Sequence, residues 1–154
     1  MKFFYNMQIQ ATTYPVLFGS DYYASLSQYI NEGSYSKIVV LVDTNTAQYC
    51  LNYVLQWLAI DVAFEIIEIE SGEEHKTIET CTAVWESLIE LDIDRKALLL
   101  NVGGGVVCDL GGFVAATYKR GIDFVNIPTT LLAMVDASVG SKTGDDLGGL
   151  KNMI

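Results

Sequence analysis

The sequence predicts an α/β, Rossmann-like fold: a mostly parallel sheet with helices on both faces, preceded by a short N-terminal strand pair. Three observations carry this. Apolar runs without alternation within Lys37–Asp43 and Ala97–Gly103 read as strands buried on both faces, as in a parallel sheet. Stretches of helical apolar period alternate with the strands. Polar or glycine-rich segments follow the strands, at the edge where open α/β sheets bind their ligands. With 154 residues, 51% of them hydrophobic, the chain is one domain's worth and long enough to bury a core.

Residues 3–18 hold two short strands with a break at Tyr14-Pro15, because the residue before proline is pushed out of the helical region. Ser20 stands where an N-cap is needed for a helix carrying Tyr22, Tyr23, Leu26, Tyr29 and Ile30, which Glu32-Gly33-Ser34 ends. After the strand ending at Asp43, Asn45 or Thr46 is expected to cap an amphipathic helix with Tyr49, Cys50, Tyr53, Val54, Trp57 and Leu58 at the helical period. Residues 62–70 alternate as a strand, with Val62, Phe64 and Ile66 on one side. The polar loop Ser71-Gly72-Glu73-Glu74-His75-Lys76 leads to a helix over 77–91. Ile78, Cys81, Val84, Trp85 and Leu88 share one face of it, and Glu79 lies favourably in its first turn. Another strand ends in Gly103-Gly104-Gly105, a helix runs to about Tyr118 and is stopped by Lys119-Arg120-Gly121, and residues 122–127 form a further strand.

Composition excludes several functions. A net charge of −10 argues against nucleic-acid and anionic-membrane partners, and no apolar run reaches membrane-spanning length. Cys50, Cys81 and Cys108 are scattered, which suits a reducing compartment, and with a single histidine, His75, they argue against a zinc site within the chain. The first residues lack the apolar region of a signal peptide, so a soluble, cytoplasmic protein is expected. The last residues, Lys151-Asn152-Met153-Ile154, form no polar tail and read as a truncation.

Three successive glycines between a buried strand and a helix need a backbone reason, since glycine loses the most entropy on ordering. A side-chain-free turn leaves the helix's first N–H groups bare, where an anion such as a phosphate can sit. The turn is not the dinucleotide fingerprint, which needs glycine where Cys108 stands. Gly140-Ser141-Lys142-Thr143 is not a P-loop, which needs glycine at the positions of Asp136 and Ser141. Asp43 could accept ribose hydroxyls or simply form an Asx turn or helix cap. Glu73 and Lys76 could be solvated charges, Asp109 could complement the helix dipole, and Thr129 could be an N-cap. His75 reads as a surface residue and Cys108 as a small packed side chain.

The joint order of these features resembles one family. Gly103-Gly104-Gly105-Val106-Val107-x-Asp109-x-x-Gly112-Phe113 through Ala115-Ala116-Thr117-Tyr118-x-Arg120-Gly121 is the first block. Ile127-Pro128-Thr129-Thr130-Leu131-Leu132 and Val135-Asp136-x-Ser138-Val139-Gly140-x-Lys142-Thr143-Gly144 follow in register. Together with Gly72-Glu73-x-x-Lys76, they closely resemble 3-dehydroquinate synthase, from about Asp43 to Ile154. The resemblance implies that residues 1–154 are the N-terminal NAD-binding domain of that enzyme, with the C-terminal helical, metal-binding domain absent.

The family converts 3-deoxy-D-arabino-heptulosonate 7-phosphate to 3-dehydroquinate and phosphate in the shikimate pathway. A recycled NAD oxidises the C5 alcohol, phosphate is eliminated, the ketone is reduced again, and ring opening and aldol closure follow. Residue by residue, the resemblance implies cofactor contacts from Asp43, from Ser71, Gly72, Glu73, Glu74, His75 and Lys76, and from Gly104, Gly105, Val106, Val107, Cys108 and Asp109. It extends them to Thr129, Thr130, Leu132, Lys142 and Lys151, and implies catalytic roles for Asp136, Lys142, Asn152 and Arg120. Arg120 is similar to an arginine that reaches the substrate phosphate across a homodimer interface, and a small sugar-acid phosphate is the implied substrate.

Cys108 and Ser141 stand where the family often has glycine, and the Asp145–Lys151 segment departs from the family pattern. The family's divalent metal, zinc or cobalt, takes its ligands from the C-terminal domain, so no metal ligand is expected here and the chain alone is expected to be inactive. Other readings are another sugar-phosphate cyclase, a metal-dependent polyol dehydrogenase, or a stand-alone nucleotide-binding or dimerisation module.

Overall fold

The structure, a computed structural model, describes residues 7–10, 14–19 and 21–139. An antiparallel ribbon, β1 (Met7–Gln10) with β2 (Pro15–Phe18), precedes the main sheet, and pairs Met7 with Phe18 and Gln10 with Pro15. The sheet has four parallel strands in the order β4-β3-β5-β6, namely β4 (Phe64–Ile69), β3 (Ile38–Asp43), β5 (Leu98–Gly103) and β6 (Asp123–Pro128). The fold is the α/β, Rossmann-like class expected from the sequence.

Helices cover both faces. On one, α1 (Tyr22–Glu32) contributes Tyr23, Leu26 and Ile30, and the segment from α2 (Thr44–Thr46) through α3 (Asn52–Trp57) to its C-cap contributes Leu51, Val54 and Leu58, packed against Ile38, Val40, Val42, Leu98, Leu100 and Val102. On the other, α4 (Ile78–Glu90) and α5 (Gly105–Thr117) contribute Cys81, Val84, Leu88, Val107, Leu110 and Val114 over Val39, Leu41, Ile67, Ile69 and Leu99. Successive β3 residues thus serve opposite cores, which explains why that strand is apolar without alternation. Each fully buried Val or Leu contributes about 1.5–3 kcal/mol relative to exposure. Among the described residues no helix is long and apolar enough to cross a membrane.

Four sequence expectations need correction. The N-cap position of α1 is Asp21, whose side chain makes no capping bond, and Ser20 lies outside the described residues. Asp43, rather than Asn45 or Thr46, caps α2, because Thr46 sits three residues on and closes a reciprocal capping box with it. The helical segment then passes through a π turn, Ala47–Leu51. An i→i+5 turn holds an extra residue, so the 3.6-residue phase is not carried across it. Val54 and Leu58 of the expected stripe are buried and Leu51 joins them, while Tyr49, Tyr53 and Trp57 are 72%, 56% and 55% exposed. In β4 the buried residues are Ile67 and Ile69, and Phe64 and Ile66 face out, because an edge strand apolar on both sides is covered fully on only one.

Candidate functional site

β3 sends its helical connection to one face of the sheet and β5 sends α5 to the other, so a crevice opens between their carboxyl ends. That is the topological switch point, where open α/β sheets bind ligands. Asp43 and Gly103 end the two strands that flank it.

The glycine turn is shaped differently at each position. A Cβ on Gly103 would lie 2.4 Å from the Val107 Cβ, so this glycine lets the strand end pack directly on α5. Gly104 is the extended N-cap of α5, and a Cβ there would meet the Thr130 Cγ2 at 3.4 Å. Around Gly105 a Cβ would meet nothing within 4 Å. The first intrahelical bond runs from the Cys108 N–H to the Gly104 carbonyl at 3.0 Å, so the N–H groups of Gly105, Val106 and Val107 precede the ladder. Bare donors, the positive end of a 13-residue helix and open space coincide here, which fits a cofactor's pyrophosphate. The side chains of Val107 and Cys108 are buried beneath the turn and face the core. Burial, reinforced by the adjacent Asp109 charge, pushes the Cys108 thiol up to about 12, so it is a packed, unreactive group.

The Ser71–Lys76 loop approaches from the β4 side. The Ser71 N–H donates to the Thr44 Oγ1 at 3.3 Å, tying the loop to the end of β3. Gly72 has φ +125°, which only glycine adopts readily, and a short 3₁₀ turn, Glu73–His75, follows. Glu74 and His75 lie 4.0 Å apart with side chains 74% and 40% exposed, a weak solvated contact. Lys76 behaves differently. It is the single charged residue among those described that is buried, and its Nζ donates to the Asp109 Oδ2 at 2.8 Å. Burying an ammonium group is costly without a partner, and Asp109, in the second turn of α5, supplies one. The two residues, 33 positions apart, clamp the loop to the helix that carries the bare donors.

Other expected site residues fall into three groups. Asp43 does form a helix cap: its Oδ1 accepts from the Thr46 N–H at 2.7 Å and from the Thr46 hydroxyl at 2.9 Å. Thr130, rather than Thr129, caps α6 (Leu131–Val135), accepting from the Ala133 N–H at 3.2 Å. Thr129 instead donates its N–H to the Gly103 carbonyl at 2.9 Å, closing β6 onto the glycine turn. Leu132 and Asp136 are exposed on α6 and just beyond it. Arg120 stands apart. It lies past the far end of α5, about 20 Å of helix from the turn, in a segment where Lys119, Arg120 and Gly121 all have positive φ. It therefore does not join the other site residues within this chain. Lys142, Lys151 and Asn152 lie outside the described residues.

Three supporting groups went unnoticed in the sequence. Thr44 holds the loop described above. Asn101, fully buried in β5, donates from its Nδ2 to the Asn126 Oδ1 on β6 at 2.9 Å. The opposite edge of Asn101 lies against Gly111, where a Cβ would come within 2.1 Å of its Oδ1. A lone polar residue in an unbroken apolar run was the available signal. The Tyr14 hydroxyl donates to the Val139 carbonyl at 2.6 Å and so ties the chain beside the N-terminal ribbon to the turn after Asp136.

Comparison with known proteins bears on this geometry. The family model for the 3-dehydroquinate synthase N-terminal region matches residues 66–154. The chain belongs to the 3-dehydroquinate synthase family. Relatives include the 3-dehydroquinate synthase of Parabacteroides distasonis, 40% identical over 90% of this chain and 39% of the relative. That of Pyrococcus abyssi is 46% identical over 85% of this chain and 39% of the relative. The chain thus spans about two fifths of the length of these relatives.

Solved structures of related cyclases have the same fold. A 2-deoxy-scyllo-inosose synthase complexed with carbaglucose-6-phosphate, NAD+ and Co2+ matches with a TM-score of 0.85 at 26% identity, over 97% of this chain and 41% of that one. The 2-epi-5-epi-valiolone synthase of Streptomyces hygroscopicus, with NAD+ and Zn2+ bound, matches with a TM-score of 0.71 at 32% identity, over 79% of this chain and 34% of that one. NAD and a divalent metal thus accompany this family's structural neighbours. Among the described residues of this chain no three His, Cys, Asp or Glu side chains group as a metal site would require.

Proposed function

We propose that residues 1–154 form the N-terminal, NAD-binding domain of a 3-dehydroquinate synthase. The observation that carries this reading is the bare N-terminus of α5 at the β3/β5 switch point, with open space around Gly105. NAD, when bound, takes a hydride from a substrate carbon and returns it within the turnover. The residues of this chain hold and orient it. The backbone of Gly104, Gly105 and Val106 lies along the pyrophosphate, and Asp43 with the Ser71–Lys76 loop serves the adenosine side. Asp109, charge-balanced by Lys76, serves the nicotinamide side, with Thr129, Thr130 and Leu132 along the remaining wall.

Asp136, Lys142, Lys151 and Asn152 serve the substrate's hydroxyl and carboxylate groups and the neighbouring cofactor. Arg120, too distant to serve its own site, reaches the substrate phosphate of a second subunit. The whole protein converts 3-deoxy-D-arabino-heptulosonate 7-phosphate to 3-dehydroquinate and phosphate, with zinc or cobalt held by residues outside this chain. The chain alone is inactive and binds NAD weakly, since one wall of the cleft is missing.

Calorimetric titration of NAD+ tests the cofactor reading. The chain should bind with a Kd on the order of 1 mM. Gly105→Val should weaken binding at least tenfold without lowering the melting temperature, because its Cβ enters open space. Equal binding by the variant, or no binding by the parent chain, would overturn the reading. Metal-dependent phosphate release by the 154-residue chain alone would overturn the inactivity.

A related sugar-phosphate cyclase is the second reading, supported by the 0.85 TM-score to the inosose synthase. Identities of 40–46% to 3-dehydroquinate synthases against 26–32% to those cyclases favour the first. Assaying the whole protein with 3-deoxy-D-arabino-heptulosonate 7-phosphate, sedoheptulose 7-phosphate and glycerol separates them.

A further inference from the structure

The chain between α5 and β6 is bent more tightly than ending a helix requires. A glycine in the left-handed region is the common helix terminator, and Gly121, at φ +113°, supplies it. Lys119 and Arg120 are left-handed as well, at φ +48° and +70°, although each carries a Cβ that this region crowds. Successive residues of this kind persist only where their surroundings hold them, and such strain gathers at functional positions.

What holds them is a single carbonyl. The Tyr118 hydroxyl donates to the Ile93 oxygen at 2.9 Å, and the Lys119 Nζ donates to the same oxygen at 2.7 Å. The ammonium also lies 5.5 Å from the centroid of the Tyr118 ring. The acceptor is itself fixed. Ile93 is fully buried, its N–H donates to the Leu88 carbonyl at 3.0 Å, and the preceding Asp92, at φ +52°, turns the chain out of α4. From the other side the Gly121 N–H donates to the Tyr118 carbonyl at 2.8 Å, and the Ile122 N–H to the Ala115 carbonyl at 2.9 Å. The ends of α4 and α5 are thus joined through Lys119, the residue before Arg120. Arg120 is exposed, and its guanidinium makes no hydrogen bond or ion pair with any other described residue. Satisfying the Ile93 carbonyl does not by itself require Lys119, because the buried Tyr118 hydroxyl already does so. The second donor acts mainly on its own backbone.

We propose that Lys119 is a positioning residue: its bond to the Ile93 carbonyl holds Arg120 in the left-handed turn and so presents the guanidinium to a phosphate monoester. The proposal rests on the reading that Arg120 meets the substrate phosphate. A guanidinium binds phosphate through two parallel N–H donors, so its aim counts as well as its charge. A side chain on a fixed backbone also loses less freedom on binding.

Steady-state kinetics of the whole protein with 3-deoxy-D-arabino-heptulosonate 7-phosphate, and calorimetric titration of inorganic phosphate, test it. In Lys119→Met the stem stays and the donor goes. If the competent turn falls to about a tenth of the population, the KM and the phosphate Kd should each rise about tenfold, with kcat within about twofold. Arg120→Ala should raise both at least as much. In the Arg120→Ala background, Lys119→Met should add nothing, which marks a residue that acts through Arg120. Lys96→Met removes the same charge from an exposed lysine on the segment that carries Ile93, and should change neither constant. An unmoved phosphate Kd in Lys119→Met, losses that multiply in the double variant, or an equal rise from Lys96→Met would each overturn the positioning role while leaving the Arg120 reading intact. No change from Arg120→Ala would overturn both.

Discussion

Removing Lys76 should show how far the Lys76–Asp109 pair holds the site together. In Lys76→Met the hydrocarbon volume is largely kept, and the Asp109 carboxylate loses the ammonium 2.8 Å away. Breaking a buried pair costs about 3–5 kcal/mol. The Asp109 side chain is 22% exposed, so water solvates part of the stranded carboxylate and the loss should fall to about 2–3 kcal/mol. Asp109→Ala takes the carboxylate from beside the Lys76 ammonium, whose side chain is 4% exposed, and should cost about 2–4 kcal/mol. The double variant removes both charges and should be less destabilised than the sum by about 2 kcal/mol.

Urea unfolding followed by circular dichroism and tryptophan emission measures this. Trp85 is a local reporter, since its ring packs 6.1 Å from Phe113 on α5 and its Nε1 donates to the Val114 carbonyl at 3.4 Å. Additivity within about 0.5 kcal/mol would refute the clamp.

The remaining predictions concern packing and one titration. Gly103→Ala should destabilise the chain by about 1–3 kcal/mol through overlap with Val107, and Val107→Ala should recover part of the loss in the same unfolding assay. Gly111→Ala should cost a similar amount, on the order of 1–3 kcal/mol, and Asn101→Ala should rescue it by removing the oxygen that the new methyl meets; no rescue would mean that another neighbour causes the strain. The Ser36 hydroxyl, bonded to the Asp94 carboxylate at 2.6 Å, and then the Lys96 N–H hold Asp94 below the usual carboxylate range. Its contribution is therefore present above the unfolded value of about 3.9 and lost as pH falls through the lower folded one. Ser36→Ala should move the Asp94 carbon resonance midpoint upward in an NMR titration, and an unmoved midpoint would reject the hydroxyl as the main cause.

Sequence alone determined the parts of this protein that depend on near neighbours. Two-sided burial of β3 and β5 was legible because an unbroken run such as Ile38–Val42 has no side that water could cover. The glycine turn was legible because backbone geometry demands glycine locally, and the order of the motifs behind it was enough to indicate the family. Tertiary structure decided what depends on which surface meets which. The phase of α3 shifted through the π turn, so Tyr49, Tyr53 and Trp57 of the stripe read as core became surface, while Val54 and Leu58 stayed inside and Leu51 joined them. The covered side of β4 could not be read because Phe64 and Ile66 are as apolar as Ile67 and Ile69, and only its place at the sheet edge chooses between them. Lys76 and Asp109 each looked like an ordinary surface charge in one dimension. Parallel strands carried the loop after β4 and the helix after β5 to the same sheet edge, and there the two charges met.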